Sequence, residues 1–396
     1  MPLSIARLLL LTTAATAIFL NPFLLTAQRL IVSDPRGQVR LPEVIELPLS
    51  EVRHYFSDIE SREAVNALTH ERLATQVYNS PDGPAHDLLL IAAHVNTSHK
   101  LELNFVPKDN AHPIAPLVFG REATERKDDF AWENQLVTYR VYGPALEATG
   151  EITSGIDVWS KRVPNFVIDR FYKRDAEGAR THNPALSYHK DDGVGLDSYL
   201  VGPTRGCGGT GVFSNGKLWI SKNYTHLRII SSGPVRFEFE MTYAPWDVDG
   251  VEVTEIKRIT LDAGTHLNKI QSTFTFKGPE IIHPAAGLAV RKGADVRTLT
   301  KGRILSVWDT PQDPSAGRIG TAIIESLDQD ATVGEVESQT LLVFPVRSGR
   351  PFTYYAGSSW SKADMPTQQA WDNYLQSTLT QLEHPLKIEW QGKQQP

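Results

Sequence analysis

The residues best suited to chemistry crowd into one stretch, "YHKDDGVGLDSYLVGPTRGCGGTGVF", Tyr188 to Phe213. It places His189, Asp191, Asp192, Asp197, Arg205 and the chain's single cysteine, Cys207, on a glycine-rich backbone. Histidine can take or give a proton near neutral pH, tyrosine can give one, and arginine or lysine can hold a carboxylate. The segment around His189 is too charged and too rich in glycine for a buried strand, and loops held by a rigid sheet are where such groups act. An ordinary surface histidine is the alternative. Asp191, Asp192 and Asp197 offer oxygen ligands, but without the regular spacing of a dedicated cation loop; a divalent cation stays open and no metal ligand is assigned.

"GCGGTG", Gly206 to Gly211, has the spacing G-x-G-x-x-G. A dinucleotide site needs a strand before it and a helix after it, whereas "VFSNGKLWIS" continues as a hairpin around Asn215-Gly216. The glycines therefore either let backbone approach a ligand or make a tight turn.

Two more polar clusters stand apart from this stretch. "GIDVWSKRVPN" puts Trp159 beside Lys161 and Arg162, an aromatic face next to cations that could stack a sugar ring and grip a carboxylate. Otherwise Trp159 fills a core and its neighbours are solvated. "SKNYTH" alternates Lys222 and Tyr224, which on a strand would face one side. Asp157 and Asp197 would make a hydrolytic carboxylate pair if the fold brought them together.

These groups need a scaffold, and the whole chain can build one. With 396 residues, 41% hydrophobic and 22% charged, it can bury a large core. A net charge of -6 without a basic run argues against a nucleic-acid partner. One cysteine excludes an internal disulfide framework and a cysteine-based zinc cluster. Residues 1–27, with Arg7 before the apolar run Leu8 to Ala27, read as a signal peptide, which predicts a periplasmic or secreted protein with no stable membrane insertion once the leader is cleaved. An uncleaved anchor is the alternative, since the run approaches the ~20 residues that span a bilayer.

The remaining pattern is strand-like. Residues 28–120 form a β-rich region taken as part of the same sandwich, and 121–390 form the main domain. Runs such as "VRFEFEMTY", "VEVTEIKRITL" and "HLNKIQSTFTF" alternate polar and apolar residues, with "DAGT" joining the last two. Without a regular alternation of strand and helix, the pattern predicts an all-β protein built as a large antiparallel β-sandwich with few peripheral helices. Only Thr367 to Gln381 has helical spacing, with Trp371, Tyr374, Leu375 and Leu379 on one face.

The blocks "KDDFAWENQLVTYRVYGPALE", "SGIDVWSKRVPNFVID", "YHKDDGVGLDSYLVGPTRGCGGTGVFSNGKLWISKNY", "YAPWDVDG" and "YYAGSSWSK" resemble bacterial domain-of-unknown-function family 4861 of polysaccharide-utilisation loci, from about Lys127 to Leu375. The resemblance implies an exported protein with a galactose-mutarotase-like supersandwich that serves breakdown of uronate-containing glycans. On that implication, β-elimination beside a uronate carboxylate requires a base, an acid for the leaving oxygen, and positive charge for the enolate-like intermediate. The expected assignment makes His189 the base, Tyr224 the other acid or base, and Arg162 with Lys161 or Lys222 the carboxylate binders. Trp159, Tyr188, Asp192 and Arg205 complete the expected contacts with an acidic oligosaccharide or polysaccharide. The leaving group could be a sugar, as in a polysaccharide lyase, or a hydroxyl, as in an oligosaccharide dehydratase. A mutarotase or epimerase, and a non-catalytic glycan-binding protein, use the same residue types. The pattern fixes no oligomeric state.

Overall fold

Alternating apolar side chains turn most of this chain into strands whose inner faces must find a partner layer. The computed structural model describes residues 28–95, 100–326 and 329–392, and within them the protein is the expected all-β antiparallel sandwich with few helices. The expected leader, residues 1–27, lies outside the described residues.

One layer is a nine-stranded sheet running from His226–Ser232 at one edge, through Val251–Asp262, Leu267–Phe276 and Pro351–Trp360, to Asp295–Leu299 at the other. Opposite it lie two five-stranded sheets. One has the order Gly195–Leu196, Asp157–Lys161, Thr138–Val141, Asp129–Asn134, Val118–Ala123. The other is centred on Cys207–Ser214, Pro284–Ala289 and Gln339–Val343. A parallel bridge between Ile156 and Gly206 joins the two where the strands Asp157–Lys161 and Cys207–Ser214 begin. Trp132, Tyr139, Phe239, Ile270, Leu288 and Tyr354 pack into one core shared by all three sheets.

The N-terminal strands have a core of their own. A three-stranded sheet and a five-stranded sheet enclose Leu30, Ile45, Leu89, Leu103 and Phe105. The chain's last strand, Lys387–Gln391, pairs with Arg29–Ser33, and Trp390 stacks on Tyr55 at 4.3 Å.

The expected helix is present as Gln368–Glu383, with the Thr367 side chain accepting from the Ala370 amide at its start. Its predicted face, Trp371, Tyr374, Leu375 and Leu379, is buried against Ile304, Ala322 and Ile324 of the nine-stranded sheet. A second long helix, Ile168–Thr181, was not expected. Its large buried side chains, Ile168, Phe171 and Tyr172, fall in its first turns, and charged residues fill most of the rest, so the apolar repeat never completes a second period.

The hairpin at Asn215-Gly216 forms as expected, both residues having positive φ (49° and 73°) and Ser214 pairing with Lys217. The glycines of "GCGGTG" lie close against the protein's own neighbouring strands, on backbone or side chain. Gly206 has φ 62° and a Cβ there would lie 2.1 Å from the Ile156 oxygen; Gly208 has φ 90° and would meet Ala356 Cβ at 2.3 Å. The stretch that looked most like a ligand loop is buried strand.

Candidate functional site

The site grows from three neighbouring strands. Arg140, on Thr138–Val141, is paired in register with Asp157 on Asp157–Lys161, while Asp129 begins the strand on the other side. A charged residue inside a buried strand must find its counter-charge within the protein. Arg140, 3% exposed, donates from Nε and Nη2 to Asp157 Oδ2 (2.9 and 2.6 Å), from Nη2 to Asp197 Oδ2 (2.9 Å) and from Nη1 to the Tyr188 hydroxyl (3.2 Å). Asp129 Oδ2 stands 3.6 Å from its Nη1. The guanidinium also lies over the Trp159 and Tyr142 rings, at 5.0 and 4.9 Å.

Above this cluster opens a cavity of about 390 Å³, whose walls include Arg126, Lys127, Asp129, Tyr142, His189, Asp197 and Tyr199. His189 is exposed at the rim, as are Arg126 and Lys127, and its Nδ1 lies 2.9 Å from the Asp197 main-chain oxygen. Two buried polar atoms on the walls, Asp197 Oδ1 and the Tyr199 hydroxyl, have no hydrogen-bond partner. Such groups are unfavourable unless something binds them.

Burial and crowding shift the acids of this site. Desolvation pushes Asp129 up to about 7 against the pull of Arg140 and Arg126. Desolvation, then the neighbouring Asp157 charge, holds Asp197 well above the ordinary carboxylate range in spite of Arg140. The same two causes hold the Tyr142 phenol above its usual value, so it stays a proton donor at all ordinary pH.

Of the residues expected to act, the cavity takes in His189. Tyr188 sits one layer below, 1% exposed, bonded to Arg140 and stacked on Trp159 at 5.4 Å. The cleft expected from His189, Arg162 and Tyr224 does not form. Arg162 pairs with Asp191 and lies over the Trp360 ring at 4.4 Å, outside the cavity. Tyr224 is buried, its hydroxyl donating to the Asp128 main-chain oxygen at 2.9 Å behind the cavity wall. Lys222 is exposed and pairs with Glu147 at 3.1 Å; residues 221–225 precede the strand His226–Ser232, so Lys222 and Tyr224 do not share a face.

The expected contacts of Trp159, Lys161, Asp192 and Arg205 are also corrected. Trp159, 1% exposed, packs against Phe171 and Tyr172 and offers no face to a sugar. Lys161 is buried with Glu133 at 2.8 Å, and Glu133 accepts the Val167 and Ile168 amides at the head of the helix Ile168–Thr181. Asp192 ties its loop to that helix through Arg170 and Arg174. Arg205, 1% exposed, is inside the sandwich and donates to Ser154 Oγ at 2.9 Å; burial lowers its pKa to about 10. Asp191, Asp192 and Asp197 turn to different arginines and form no common oxygen cage.

Asp157 and Asp197 do come together, since both bind Arg140 Nη2. Asp157, however, is 0% exposed and does not line the cavity, which removes it from a pair that must flank a substrate. The sequence reading missed Arg140, Asp129, Tyr142, Tyr199, Arg126 and Lys127. A signal existed in "VTYRVYG", where an arginine interrupts an otherwise apolar strand, a position that needs an internal acid.

The family model described as "Domain of unknown function (DUF4861)" matches residues 32–388. A protein of Formosa agariphila described as "Uncharacterized protein P7" is 28% identical over 362 residues, 87% of this chain and 89% of that protein. Among solved structures, an alpha-mannosidase from Enterococcus faecalis V583 aligns with a TM-score of 0.47 and 9% identity, covering 93% of this chain and 46% of its own. A glycosyl hydrolase family 38 protein from Enterococcus faecalis aligns with a TM-score of 0.48 and 9% identity, covering 94% and 48%. The chain thus spans about half the length of these two solved structures.

Proposed function

The chain belongs to the DUF4861 family, and from that premise we propose that it is an exported carbohydrate-active enzyme that performs β-elimination on uronic-acid-containing oligosaccharides in the His189 cavity. The observation that carries the reading is the state of His189. A main-chain carbonyl can only accept, so in the neutral ring Nδ1 holds the hydrogen and Nε2 keeps its lone pair. A base is thereby set at the rim of a cavity of about 390 Å³. The unpartnered Asp197 Oδ1 and Tyr199 hydroxyl support a polyhydroxylated ligand, whose hydroxyls both donate and accept.

The roles follow from position. His189 Nε2 removes the proton on the carbon beside the uronate carboxylate. Arg126 and Lys127, at the cavity wall, replace Arg162, Lys161 and Lys222 as the cations that hold the carboxylate and the charge developing on it. Tyr142 and Tyr199 supply O–H groups within the same walls. The bond from the next carbon to its oxygen then breaks, leaving a carbon–carbon double bond and releasing a sugar or, when the oxygen is a hydroxyl, water.

The test is ultraviolet absorbance of that double bond over a panel of uronate oligosaccharides. A rise with at least one substrate is expected. No rise across the panel, with binding shown by calorimetry, overturns elimination; a change in anomeric NMR signals in its place identifies a mutarotase or epimerase. Export is proposed from residues 1–27 and is checked by the N-terminal mass of protein recovered from the periplasm or medium.

A further inference from the structure

Three carboxyl groups, those of Asp129, Asp157 and Asp197, surround the single guanidinium of Arg140, and each of the four side chains is nearly sealed from solvent. Fully ionised, they set three negative charges against one positive. Arg126 adds a second cation at 3.8 Å from Asp129, but its side chain is half exposed and its charge is screened. Buried like charges relieve such an imbalance by keeping a proton.

The hydrogen bonds indicate which acid keeps it. Asp157 is saturated: Oδ2 accepts from Arg140, Tyr142 and Trp159, and Oδ1 from the Val158 amide. Asp197 has one good bond, from Arg140 Nη2 to Oδ2 at 2.9 Å, while its Oδ1 is left to the cavity without a partner. Asp129 alone of the three has no close bond to a cation, with Tyr172 Oη at 3.4 Å, Arg140 Nη1 at 3.6 Å and Arg126 Nε at 3.8 Å around its Oδ2. A buried carboxylate with such long contacts gains most from being neutral.

We propose that Asp129 holds this proton in the resting protein and delivers it to the departing oxygen. The delivery step rests on the elimination proposed above, and it names the acid of that reaction. His189 Nε2 takes the proton from carbon, the electron pair of that bond forms the double bond, the carbon–oxygen bond breaks, and the leaving oxygen takes the proton of Asp129. The protein is left as imidazolium and carboxylate, and transfer of one proton between them through solvent restores it. The charged and titratable groups around Asp129 are Arg126 and Lys127 on its own side, Arg140 on the next strand and Tyr142 just after it, Asp157 beyond, Tyr172 from the helix, and His189 and Asp197 from the covering loop. Burial is the main cause that raises its pKa.

The experiment needs no substrate for its first arm. Infrared spectra of the wild type, Asp129→Asn and Asp197→Asn are taken in H2O and D2O across neutral pH. A protonated-carboxyl band is expected that shifts in D2O and has a component that fades as pH rises through about 7; that titrating component persists in Asp197→Asn and is lost in Asp129→Asn. Absence of the band from the wild type, or its loss in Asp197→Asn alone, overturns the proposal. Should Asp129→Asn fail to fold, carbon-13 NMR of aspartate-labelled wild type and Asp197→Asn decides the same point: an aspartate carboxyl titrating near 7 in both supports it, and its absence from the wild type or its loss in Asp197→Asn overturns it. In the second arm, kcat of Asp129→Asn is expected to fall about 100-fold with KM little changed. Unchanged kcat with the band lost defeats the delivery step alone, whereas a wild type that forms no double bond defeats the elimination and leaves the resting proton standing.

Discussion

The Nδ1 atom of His189 meets the main-chain oxygen of Asp197 at 2.9 Å, and the carboxyl of the same aspartate binds Arg140. One residue thus fixes both the tautomer of the base and the position of the buried guanidinium. His189→Ala is expected to lower kcat by about 10²–10⁴-fold. Oligosaccharide binding, measured by calorimetry, should stay within a few fold. A variant that keeps its turnover would place the base elsewhere.

At the cavity rim, Lys127 and Asp128 both adopt left-handed backbone conformations, with φ 50° and 52°. Neither is glycine, so each is strained and must be held. Asp128 is held from two sides: its carboxylate accepts the Ala145 amide and its main-chain oxygen accepts the Tyr224 hydroxyl. Tyr224, which does not line the cavity, thus holds the backbone next to Lys127. Tyr224→Phe should raise KM for acidic oligosaccharides several fold and leave kcat within about twofold, as expected for one hydrogen bond of ~1 kcal/mol. A collapse of kcat at unchanged KM would restore Tyr224 as a proton donor.

If Lys127 holds the uronate carboxylate, removing its charge should discriminate between ligands. Lys127→Gln is expected to weaken binding of a uronate oligosaccharide about tenfold and to leave its carboxyl-reduced, neutral counterpart within about twofold. Parallel calorimetric titrations check this. Equal losses for the two ligands would mean that the ammonium does not meet the carboxylate.

The fold was more legible than the site, for a physical reason that particular residues show. Strand alternation and the face Trp371, Tyr374, Leu375 and Leu379 record local periodicity, which a single sequence carries. Asn215-Gly216 is a local turn signal and was read correctly. Trp159, Lys161 and Arg205 looked functional because residue type does not reveal burial; each is at most 2% exposed. The partners of Arg140 are far off in the chain, Asp157 by 17 residues and Asp197 by 57, so their convergence is tertiary. The glycine-rich stretch misled for the same reason, since a strand that must lie close on another leaves the same glycines as a ligand loop.

That structural role of the glycines can be tested at Gly208. Alanine there would combine φ 90° with a 2.3 Å contact to Ala356 Cβ in the middle of the sandwich. A loss of at least ~2 kcal/mol in unfolding free energy is expected. Turnover per folded molecule should be unchanged, because the site lies in the other five-stranded sheet. Unaltered thermal stability would show that the strand can yield and that the glycine serves something else.

The buried carboxyl group of Asp129 makes a separate prediction about stability. Its folded pKa, about 7, lies above the ordinary carboxylate value of 3.8, so between these two values the folded protein binds more protons than the unfolded chain. Stability from this group is then fully present below about pH 4 and is lost as pH rises through about 7, by ~4 kcal/mol at most. Asp129→Asn has no carboxyl to ionise and escapes that loss. Its melting temperature relative to the wild type should therefore rise from pH 5 to pH 8, whatever the offset at the lower pH. A difference that stays flat, or falls, across this interval would mean that Asp129 is ionised throughout and that the charge imbalance around Arg140 is met in another way.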